Sequence, residues 1–111
     1  MSDEEALLSR LRNQLATGRF RIRIHAARHM TEEGFFQKDI LEALLGKSKI
    51  LERYPEESRC LIVGYFHFSE KVTCPLHVVC DYSNPKLLDI VTAYIPEEPW
   101  WSTPTKRGLT K

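Results

Sequence analysis

The run Arg19-Phe-Arg-Ile-Arg-Ile-His-Ala-Ala-Arg-His-Met30 changes its periodicity half-way along, and no other feature constrains the fold as much. Read as extended chain, residues 19–24 alternate. Phe20, Ile22 and Ile24 face one way, and Arg19, Arg21 and Arg23 face the other at a spacing of about 7 Å. The apolar side needs a core, and the opposite side is a row of cations. The alternation fails at His25, where Ala26 and Ala27 favour helix and Gly34 is placed to end it in the left-handed conformation. On that helix His25, Arg28 and His29 share a face at spacings of three and four. A guanidinium ladder beside an imidazole and guanidinium cluster suits a phosphate. The same ladder also suits a simpler role, keeping an edge strand from pairing with another molecule.

The flanking sequence supplies the rest of the layers. Ser2 with Glu5 forms a capping box, and Ala6, Leu7, Leu8, Leu11 and Leu15 recur at helical spacing as far as Gly18, with Arg10 and Arg12 towards solvent. After Phe35 and Phe36 a third helix carries Ile40, Leu41, Ala43, Leu44 and Leu45 up to Gly46. Lys49 to Arg53 reads as a short strand closed by Tyr54-Pro55, with strands again at Leu61 to Phe68, Leu76 to Tyr82 and Leu87 to Ile95. Ser83-Asn84-Pro85-Lys86 joins the last two as a hairpin. The expected architecture is α+β, with N-terminal helices packed on one face of an antiparallel sheet. Residues 1–101 form the domain and 102–111 a tail, with Trp100 or Trp101 folded back on the body. Lys106 and Arg107 either extend the anion surface or keep the tail in solution.

Composition narrows the function classes. A chain of 111 residues, 42% hydrophobic and 28% charged, is one ordinary globular domain. It has no apolar run of bilayer length, and the acidic start Ser2-Asp3-Glu4-Glu5 is the reverse of a signal peptide's basic leader, so a cytoplasmic location is expected. Cys60, Cys74 and Cys80 are odd in number and lack a Cys-x-x-Cys pair, which points to reduced thiols. The net charge of +1 conceals an asymmetry: no Asp or Glu occurs from Ala6 to Thr31, where Arg10, Arg12, Arg19, Arg21, Arg23 and Arg28 all lie. An anionic partner, above all nucleic acid, fits that block.

Cleavage of RNA without metal needs a base for the 2′-hydroxyl, an acid for the leaving oxygen and cations for the crowded phosphorus. His25, His29 and His77 can move protons near neutral pH, Arg28 with Arg21 or Arg23 can stabilise charge, and Tyr94 is a weaker candidate acid. Arg19, Arg21 and Arg23 are the candidate RNA-binding row. The alternative is structural: His25 capping its helix, His77 satisfied inside an apolar strand. Cys74-x-x-His77-x-x-Cys80 is a poor metal site, because strand positions three apart face opposite ways. Asp81 and Asp89 stand apart in sequence, so carboxylates for a two-metal nuclease are missing as a cluster, and no cofactor is expected.

The ordered motifs His25-Ala26-x-x-x-Met30, Gly34, Asp39-Ile40, Ala43-Leu44, Gly46, Ile50-Leu51-Glu52-x-Tyr54-Pro55, Ser58-x-Cys60-Leu61-Ile62-x-Gly64, Pro75-Leu76-His77-Val78-Val79-Cys80 and Thr92-x-Tyr94-x-Pro96 closely resemble the bacterial family catalogued as domain of unknown function 4258, over about residues 5 to 101. The resemblance implies a RelE-like toxin fold and a small zinc-finger antitoxin or regulator as partner. The family pattern usually has Arg at the place of His29 and often Arg at that of Glu33, so any phosphate contact made there is altered in this chain. The expected function is a toxin-like, metal-independent endoribonuclease of a toxin–antitoxin pair, with His25, Arg28, His29 and His77 as its site. The alternative is a non-catalytic protein- or RNA-binding module.

Overall fold

The computed structural model describes residues 2–97, 101–103 and 105–107. Helix α1 (Asp3–Ala16) starts as its capping pattern requires: the Glu5 amide donates to Ser2 Oγ at 3.1 Å, and Asp3, Glu4 and Glu5 place negative charge at the positive end of the helix dipole. Strand β1 (Phe20–Ile22) follows, then α2 (Ile24–Glu33), which Gly34 closes with φ 78°. Helix α3 (Gln37–Leu45) begins where the Asp39 carboxylate accepts the Phe36 amide at 2.8 Å. Four strands come next: β2 (Lys49–Tyr54), β3 (Arg59–His67), β4 (Thr73–Asp81) and β5 (Leu88–Tyr94). A separate two-stranded ribbon pairs β6 (Trp101–Thr103) with β7 (Lys106–Arg107).

The main sheet has the order β1-β5-β4-β3-β2. Strands β2 to β5 form the expected antiparallel meander. The sheet is nonetheless mixed, because β1 lies parallel to β5, pairing Phe20, Arg21 and Ile22 with Leu88, Asp89 and Ile90. No turn dictates the direction of β1, since most of the chain separates it from its neighbour. That is why an all-antiparallel sheet, expected from the hairpins alone, is incorrect.

Alternation along the strands sorts the two faces. Cys60, Ile62, Gly64 and Phe66 of β3 stand beside Cys80, Val78, Leu76 and Cys74 of β4 on one face. Against it pack Leu7, Leu11 and Leu15 of α1, Ala26 of α2, and Ile40, Ala43 and Leu44 of α3 in a single core. Leu61, Val63 and His77 belong to the opposite face, yet none is more than 1% exposed. Thr105 shares a cavity with Val63 and Tyr65, so the C-terminal segment adjoins this second face. The expected packing of Trp100 or Trp101 on the body, and the roles of the Lys106 and Arg107 side chains, lie outside the described residues.

Two local expectations need correction. Ile24 is not a core residue; it opens α2 and is 64% exposed, because Arg23 already occupies the helix N-cap and the strand alternation stops one residue early. Arg12 does not sit on a solvated face: its guanidinium donates to the carbonyls of Leu44, Gly46 and Ser48 and to Ser48 Oγ, holding the end of α3. Arg10 remains exposed, donating to the Tyr82 carbonyl at 3.2 Å with its guanidinium 6.0 Å from that ring's centre. No helix among the described residues is long and apolar enough to cross a membrane.

Candidate functional site

The shortness of β1 places α2. β1 covers β5 only as far as Ile90, and α2, which follows β1 at once, packs beside the rest of that strand. The Ile95 amide donates to Glu33 Oε1 at 2.9 Å, tying the end of α2 to the end of β5. The other carboxylate oxygen, Glu33 Oε2, lies 2.9 Å from His29 Nδ1. His29 and Tyr94 rings are centred 6.4 Å apart, and Tyr94 Oη is 3.3 Å from Nδ1 of His77, whose ring centre is 5.3 Å from that of Tyr94. Glu33, His29, Tyr94 and His77 thus form one continuous run of contacts, from the flank of a helix to the middle of the sheet.

The members of that run differ in what they can reach. His29 keeps 42% of its side chain exposed, and a carboxylate at Nδ1 favours the proton on that nitrogen, leaving Nε2 as the basic one. His77 is fully buried, so it can position Tyr94 but cannot touch a docked substrate. His25 and Arg28 are exposed, and their side chains make no hydrogen bond or ion pair with a described residue. Helical spacing brings both onto the flank that carries His29, with about 5–6 Å between the Cβ atoms of His25 and His29. Of the four residues expected to act in proton transfer and charge stabilisation, three therefore gather on α2, and His77 stands behind them as a buried support.

The arginine row is not the free ladder that its alternation implies. Arg21 pairs with Asp89 through Nε, and Arg23 approaches the same carboxylate at 3.9 Å. The Asp89 hydrogen bond, and then its charge, raise the Arg21 pKa further above its ordinary value. Arg19 turns back to α1, donating to Asn13 Oδ1 at 2.5 Å and Thr17 Oγ1 at 2.9 Å. Both of its acceptors are neutral, so its full charge remains. Asp89 faces Asp81 across the β4–β5 ladder, and Arg59 pairs with Asp81 at 3.2 Å. Burial of Asp81 opposes its ionisation, but hydrogen bonds from Ser83 and Arg59 outweigh burial and lower its pKa. Sequence reading left Asp81 and Asp89 isolated because only strand register brings them together.

Cys74 and Cys80 lie on the helix-facing side of β4 and His77 on the other, so this spacing does not converge on an ion. Among the described residues no three His, Cys, Asp or Glu side chains are grouped to hold a metal. Burial pushes the Cys60 thiol up to about 12 and that of Cys80 well above its usual value. Neither is a nucleophile near neutral pH.

A family model described as Domain of unknown function (DUF4258) matches residues 22–95. The chain belongs to that family. The DUF4258 region runs from the last residue of β1 to Ile95, so it contains the entire Glu33–His29–Tyr94–His77 run and leaves out α1 and the C-terminal ribbon. No curated protein and no solved structure matches the chain. His29 and Glu33, both inside the matched region of this DUF4258 member, are the two ends of one hydrogen bond. Glu33 was visible beforehand only as a departure; its separation of four from His29 was the signal that could have assigned its role.

Proposed function

We propose that the protein is a toxin-like endoribonuclease that works without metal, built on a RelE-like architecture and paired with a small zinc-finger antitoxin. The observation that carries this reading is the half-exposed His29, oriented by Glu33 and flanked on the same helix by exposed His25 and Arg28. In this mechanism His29 Nε2 takes the proton of the 2′-hydroxyl as that oxygen attacks the adjacent phosphorus. His25, protonated, delivers a proton to the departing 5′-oxygen, and Arg28 stabilises charge on the phosphorus oxygens. His77 holds Tyr94 against the His29 ring. Arg19, and the charge that a single Asp89 leaves unbalanced on Arg21 and Arg23, attract the strand from the neighbouring edge.

The test is cleavage of labelled messenger RNA in the presence of a chelator. His25→Ala and His29→Ala are each expected to slow it by about 100-fold or more while the thermal transition stays in place. Wild-type rates in a folded His25→Ala/His29→Ala double variant would overturn the assignment. The burial of His77 and the sharing of Asp89 by two arginines favour a second reading, a binding module without turnover. On that reading the wild type binds RNA or a protein partner and leaves RNA intact; a steep loss of affinity with salt marks RNA as the ligand.

A further inference from the structure

On the side of the sheet away from α2, a cavity of about 410 Å³ is lined by Lys47, Ser48, Lys49, Val63, Tyr65 and Thr105. None of the described residues that line it is acidic. Lys47 and Lys49 are exposed and form no ion pair among the described residues, so two positive charges stand unbalanced at its rim. Tyr65 is 42% exposed and supplies an aromatic surface to the same cavity. The loop that carries Lys47 is held in place: Arg12 donates to Gly46 O at 3.1 Å and to Ser48 Oγ at 2.8 Å, and Ser48 Oγ donates to Leu44 O at 2.9 Å. The cavity is therefore built on fixed backbone at the small end of the range for ligand pockets, about 300–1,000 Å³.

Two lysines beside an exposed ring are the pairing that holds a single nucleotide of an unpaired strand, the ring stacking on the base and the cations meeting phosphate. Lys49, Val63, His77 and Tyr94 are successive register partners across the sheet. At about 4.8 Å per strand, Lys49 stands about 14 Å from Tyr94.

We propose that this cavity is a subsite for one nucleotide of single-stranded RNA, with its base on Tyr65 and its phosphate on Lys47 and Lys49. The subsite rests on RNA as the partner, as in the reading above, and not on RNA being cut. The experiment measures binding of a short fluorescein-labelled single-stranded RNA to the full chain by anisotropy across a salt series, with cleavage followed in parallel. Tyr65→Leu is expected to weaken binding about tenfold, and Tyr65→Phe to retain it. Lys47→Gln with Lys49→Gln is expected to reduce the slope of log affinity against log salt by about 1.4. If the wild type binds and cuts RNA and these variants match it in affinity and slope, the subsite is overturned while the cleavage reading stands. If the variants weaken binding as expected but the wild type cuts nothing, the subsite stands and cleavage falls. Absence of RNA binding by the wild type overturns both.

Discussion

At Gly64 a single absent methyl lets a helix rest directly on the sheet. A Cβ there would stand 2.1 Å from the Ala43 carbonyl oxygen and 2.6 Å from its carbon, both belonging to the backbone of α3. Backbone cannot swing aside as a side chain does, so Gly64→Ala has to push α3 off β3. A loss of about 3 kcal/mol or more is expected, read as a lowered urea midpoint. Gly34→Ala is the contrasting case: the added carbon meets only the Phe68 ring at 3.8 Å, and the cost is the left-handed backbone, about 1–2 kcal/mol. The requirement at Gly34 was legible in the sequence, because a glycine after a helical run has a local reason to be there. That at Gly64 was not, since nothing within a strand says which of its residues lies beneath a helix. The same distinction applies to the histidines: spacing placed His25 and His29 on one flank of α2, whereas the burial of His77 depends on what lies over the far side of the sheet.

Between elements, the decisive contacts are long in sequence and polar, which is where sequence reading failed. Arg12 was read as solvated because a helix wheel records only its own helix; its acceptors are carbonyls and a hydroxyl 32 to 36 residues away. Replacing it with Leu leaves the last carbonyls of α3 without their donor and should cost about 1.5–3 kcal/mol. Arg12→Lys should recover only part of that midpoint, since one ammonium cannot reproduce the fork that engages several acceptors at once. The arginine row failed in a related way. Its alternation was real over Phe20–Ile22, but the carboxylate that Arg21 and Arg23 share is contributed by β5 through a parallel pairing that no hairpin announces. By contrast, the meander, the three helices and their order were readable, because each is set by local periodicity and a nearby turn.

For the molecule as a whole, two carboxylates contribute stability that acid removes. Asp81 has a lowered pKa because hydrogen bonds from Ser83 and Arg59 outweigh the opposing effect of burial. Glu42 has one because His67 hydrogen-bonds to it, chiefly through its ring. The unfolded chain takes up these protons at higher pH than the native state does. Their contribution is therefore complete above the ordinary carboxylate range, about pH 4–5, and is lost as pH falls through the native values. The urea midpoint should be level near neutrality and fall on acidification, and Asp81→Asn should flatten that fall. The fold also extends beyond the family match: Leu7, Leu11 and Leu15 of α1 complete the core although the matched region begins at residue 22.

Strand β1 also bears on how the polypeptide is made. Its pairing joins residues 68 positions apart, as the Arg21–Asp89 bond illustrates, so it can form only after β5 has left the ribosome. Until then α2, with His29 in it, has no Ile95 amide to lock onto. A nascent copy thus carries its histidines and arginines unassembled until the strand that pairs with β1 has emerged.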